Sequence, residues 1–95
     1  MRRTTDIGLL FDPRRAAEAA FCRTWRMGIL KRNASLRVRY NDPYPGVFPS
    51  LVDSLRKELG RRYVGIQIEV SQKFPRRGGR RWQLLRKVLV ESFPQ

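Results

Sequence analysis

Three short apolar segments alternate along this chain with stretches that repeat their apolar residues every fourth position. That switching of period restricts the chain to an α/β arrangement. The first segment, Ile7-Gly8-Leu9-Leu10-Phe11, is a nearly continuous apolar run and reads as a buried strand that stops at Asp12-Pro13. The second, Leu36-Arg37-Val38-Arg39-Tyr40, alternates apolar with charged, as a strand with one covered face does. The third runs from Tyr63 to Gln72, with Val64, Ile66, Ile68 and Val70 on one side and Gly65, Gln67, Glu69 and Ser71 on the other.

The intervening stretches read as helices. Asp12 suits an N-cap and Pro13 an N1 position, after which Ala17, Phe21, Trp25 and Ile29 form a stripe, with Arg15, Arg23 and Arg26 opposite, to about Lys31. Ser50 and Asp53 approximate a capping box, Leu51, Leu55 and Leu59 make a second stripe, and Gly60 falls where a left-handed C-cap belongs. A basic turn over residues 73–81 leads to a last helix marked by Trp82, Leu85, Leu89 and Phe93. The expectation is one domain over residues 1–95, a small three-layer-like βαβαβα unit with a short, mostly parallel or mixed sheet. Three strands leave edges uncovered, and a second copy of the chain is the cheapest cover, so self-association is expected.

Composition narrows the classes further. A single cysteine, Cys22, rules out an intramolecular disulfide framework, and no apolar run is long enough for a signal sequence or a membrane span. Cytoplasm is the expected compartment and no membrane partner is expected. The 21 Lys and Arg outnumber the 8 Asp and Glu by 13, ten against four in residues 1–47 and eleven against four in residues 48–95. The excess forms no basic tail, so it reads first as a solvated surface. Nucleic acid is the alternative partner, gripped by Arg76, Arg77, Arg80 and Arg81 with Trp82 as a stacking platform, although Trp82 also keeps register with the core stripe of its helix.

The chemistry concentrates in the loop Asn41-Asp42-Pro43-Tyr44-Pro45-Gly46 and in Glu69 on the polar side of the third strand. Prolines stiffen such a loop, which serves either as a plain turn or as a preorganised holder for the Asn41 amide and the Tyr44 hydroxyl. Glu69 reads either as a surface carboxylate paired with an arginine or as a general acid/base.

In order, the run from Asp6 to Asp12, the segment Leu36 to Gly46 and the strand Gly65-Ile66-Gln67-Ile68-Glu69-Val70 resemble the C-terminal part of the N-formylglutamate amidohydrolase family. The resemblance covers nearly the whole chain. It implies the C-terminal part of a zinc-carboxypeptidase-like fold, within a larger amidohydrolase-like domain, and hydrolysis of the linear amide of an N-acyl amino acid by a metal-activated water. It further implies Glu69 as the catalytic acid/base, Asn41 and Tyr44 as substrate-side residues, and Arg37 or Arg39 as holders of the substrate carboxylate. The chain departs from the family in having no histidine, so the zinc of full-length relatives finds no ligand set and no cofactor is expected here. Gln67 and Ser71 stand where relatives tend to carry Glu and Asn. A truncated or degenerate member without hydrolase activity of its own is the resulting expectation.

Overall fold

A computed structural model describes residues 4–47, 51–74 and 79–94. Within them the chain forms strand β1 (Ile7–Leu10), helix α1 (Ala16–Arg32), strand β2 (Val38–Tyr40), helix α2 (Leu51–Leu59) with a 3-10 turn at Gly60–Arg62, strand β3 (Gln67–Val70) and helix α3 (Gly79–Glu91). The sheet is mixed, in the order β2-β1-β3. β1 pairs with β2 in parallel, Ile7 opposite Val38, and with β3 antiparallel, Ile7 opposite Val70. As the middle strand, β1 is buried along its whole length, which explains its unbroken apolar run.

Ile7, Leu9 and Val38 face α1 and α3, where they meet Cys22, Trp25, Ile29 and Leu85 in the main core. Trp25 fastens the two helices together. Its indole N–H donates to Ser92 Oγ at 3.1 Å, and its ring meets Phe93 edge-on. Gly28 permits the approach, since a Cβ there would lie 3.1 Å from the Ser92 carbonyl oxygen.

Several boundaries differ from the sequence reading, each for a local reason. Helix α1 starts at Ala16 because the Asp12 carboxylate accepts from the Arg14 N–H and pairs with the Arg14 guanidinium, holding residues 12–15 in a turn. Its inward stripe is Glu18, Cys22, Trp25 and Ile29, while Ala17 is exposed. β3 is confined to Gln67–Val70. Ahead of it, the backbone of Tyr63 and Gly65 bonds to side chains of Arg15, Glu18 and Arg56 instead of to a neighbouring strand. Arg15, expected on the solvent side, is one of those side chains. Gly60 takes the predicted left-handed conformation at φ +77°. The proposed Ser50 cap lies outside the described residues.

Candidate functional site

The sheet register gathers the predicted residues. Gly8 of β1 stands opposite Arg39 of β2 on one side and Glu69 of β3 on the other, so all three share the face turned away from α1. Over the middle of that row passes the proline loop. A Cβ on Gly8 would come within 2.2 Å of the Asp42 carbonyl oxygen, so only glycine lets the loop lie this close. The Tyr44 hydroxyl donates to Glu69 Oε1 across 3.5 Å, the long edge of hydrogen bonding. The group lies over the middle of the sheet face: Gly8, Arg39 and Glu69 are interior residues of their strands, and the loop that covers them leaves the C-terminal end of β2.

The loop is built to hold its shape. Asn41 adopts φ +50°, tolerable for a short polar side chain, and its Oδ1 accepts from the Phe11 N–H at 2.8 Å. What Asn41 leaves for a ligand is its amide nitrogen, because its oxygen is committed to the fold. The Asp42–Pro43 peptide is cis, and Asp42 Oδ2 accepts from the Thr5 hydroxyl at 2.6 Å. Thr5 in turn accepts from Arg39 Nη1 at 2.7 Å, which steers the guanidinium along the rim of the row. Gly46 closes the loop by donating its N–H to the Phe11 carbonyl. Arg37 lies ahead of β2; its backbone N–H donates to Asp6 and its side chain is exposed, two residues from Arg39.

Beneath the loop sits a buried ion pair that the sequence reading missed. Arg56 of α2 forms a two-pronged pair with Glu18 of α1, Nε to Oε2 and Nη2 to Oε1, each at 2.7 Å, and both side chains are almost wholly buried. The same guanidinium donates to the carbonyls of Gly46 and Gly65, and Glu18 accepts from the N–H groups of Asp12 and Gly65 and from Arg15 Nε. One pair thus ties together two helices, the loop and the approach to β3. Burial by itself pushes the Glu18 carboxyl up, but the hydrogen bonds from Arg56 and the two N–H groups outweigh it and hold the carboxyl below the ordinary glutamate range. A signal for it was present in the spacing 18, 22, 25, 29, a better helical stripe than the one headed by Ala17. Gly8 was also legible, as a glycine inside an apolar strand.

Among the described residues the donors do not gather into a zinc site. The sequence has no histidine, and among the described residues no three of Cys, Asp and Glu gather to hold an ion. Cys22 is fully buried, and burial, with a smaller push from Glu18, raises its thiol to about 12. The alternative basic patch is only partly described, since Arg76 and Arg77 lie outside the described residues. Arg80 and Arg81 are exposed in the first turn of α3, but Trp82 packs against the core with the Arg86 guanidinium over its ring at 5.4 Å. No described helix is long and apolar enough to cross a membrane.

Compared with known proteins, the chain matches no family model, no curated protein and no solved structure.

Proposed function

We propose that this chain is a degenerate N-formylglutamate amidohydrolase-like domain that keeps the substrate side of the site and binds an N-acyl amino acid without hydrolysing it. The observation that carries the reading is the row Arg39, Gly8, Glu69 under the Tyr44 hydroxyl. In it a guanidinium fork suits a carboxylate, and a hydroxyl and a carboxylate suit the N–H and carbonyl of an amide. The zinc-carboxypeptidase-like relationship belongs to the same proposal and rests on the motif order. The chain has no histidine with which to ligate a metal, and Glu69 acts in it as a hydrogen-bond acceptor.

Calorimetric titration with N-formyl-glutamate tests the reading. Saturable binding is expected, at least ten-fold weaker in Arg39→Met and in Glu69→Gln, with no release of formate when zinc is added. Equal heats for parent and both variants refute the site, and zinc-dependent formate release refutes the degenerate assignment.

A further inference from the structure

The other face of the sheet ends in an apolar surface that the proposed ligand site does not use. Two adjoining depressions of about 300 and 390 Å³ share Trp25, Ile68 and Phe93 as their walls, and reach Ile66 on one side and Val90 on the other. Ile68, Val90 and Phe93 are 41, 74 and 48% exposed, a concentration of apolar surface that a finished globule seldom leaves in one place.

This surface runs along β3, which is an edge strand. The Ser71 N–H donates to the Asp6 carbonyl, so Asp6 and Ser71 form a hydrogen-bonded pair, and by alternation Gly8 and Glu69 form the next. The N–H and C=O groups of Ile68 and Val70 therefore point away from β1, along the open edge. Backbone groups seeking a partner strand and a groove for every second side chain occur together, which is the combination that strand addition requires.

Charge decides the occupant. With 21 basic against 8 acidic side chains, a second copy brings like charge against like, whereas an acidic segment is attracted. Arg61 and Arg62 stand exposed just ahead of the strand and Arg86 one helical turn before Val90. We infer that β3 accepts an extended acidic segment of a partner protein as a fourth strand, its alternate apolar side chains seated between Ile68, Val90 and Phe93. This inference is independent of the proposed ligand site.

The test uses the whole chain and three seven-residue peptides: one alternating glutamate with valine, one alternating lysine with valine, and the glutamate peptide N-methylated at alternate backbone amides. The first peptide is expected to bind and to slow hydrogen exchange at the Ile68 and Val70 amides, with affinity falling as salt rises. The other two, and the first peptide with Ile68→Asp, are expected to bind at least ten-fold more weakly. Absence of binding, or equal affinity for the N-methylated peptide, overturns strand addition in wild-type protein whatever the variant does. A dimer in sedimentation whose formation protects the same two amides overturns the acidic partner in favour of a second copy.

Discussion

Replacing Arg56 by methionine removes one side chain and takes a donor from four buried acceptors. The Gly46 and Gly65 carbonyls lose their donor, and both Glu18 oxygens lose the guanidinium while keeping the N–H groups of Asp12 and Gly65 and the Arg15 Nε. Breaking a buried pair from one side costs about 3–5 kcal/mol, and each orphaned carbonyl about 1–3 kcal/mol in isolation, partly counted in the first figure. A loss of about 4 kcal/mol is expected, a large share of the roughly 5–15 kcal/mol that holds a small domain together. Urea denaturation followed by tryptophan fluorescence measures it, with Glu18→Leu and the double variant completing a cycle. Replacing both partners of a buried pair by apolar residues often restores stability, but here the Gly46 and Gly65 carbonyls and the Asp12 and Gly65 N–H groups would remain without their partners. The double variant should therefore recover only part of the loss. A single-variant cost below about 1 kcal/mol, or a double variant as stable as the parent, refutes the role assigned to the pair.

Gly8→Ala forces a Cβ against the Asp42 carbonyl oxygen, so it should cost about 1–3 kcal/mol and displace the Tyr44 loop, seen as shifts of the Tyr44 ring resonances. Glu18 and Asp12 both sit below their ordinary values, Asp12 chiefly through its hydrogen bond with Arg14. The unfolded chain therefore binds the extra protons first: stability should be level above about pH 4.5 and fall as the pH drops through the lowered folded values, as acid titration of the denaturation midpoint will show. Cys22 should resist a thiol reagent in the native state at pH 8 and react fully in urea, because its thiol is buried and raised to about 12.

The strands, α1 and α3 were legible because their apolar residues meet a single core, whereas the expected α2 stripe fails: Leu51 and Leu59 are exposed, and Arg56 is the buried residue of that helix. β1, the Leu85 stripe and the left-handed Gly60 follow from pattern and glycine chemistry alone. The sequence reading went wrong where polar side chains took over backbone partners. Asp12 bonded locally to Arg14 and delayed α1, and the Glu18, Arg15 and Arg56 side chains claimed the backbone of residues 60–65 and shortened β3. Glu18 shares the periodic spacing of the buried α1 stripe, but nothing in the pattern marks Arg56 as its partner, so that arginine reads as surface. The candidate site was legible as residue types, and the motif order paired the loop with Glu69; the means by which they meet was not legible, because it depends on Gly8, on the register of two strand pairs and on a loop anchored from below by Arg56.

The most direct test of the ligand site is an amide-resolved NMR titration of the intact chain with N-formyl-glutamate. The account predicts saturable shifts confined to Gly8, Arg39, the loop from Asn41 to Gly46, and Glu69, all following one binding curve. Shifts centred on the Arg80 and Arg81 turn, or no saturable change at any of these residues, would contradict it.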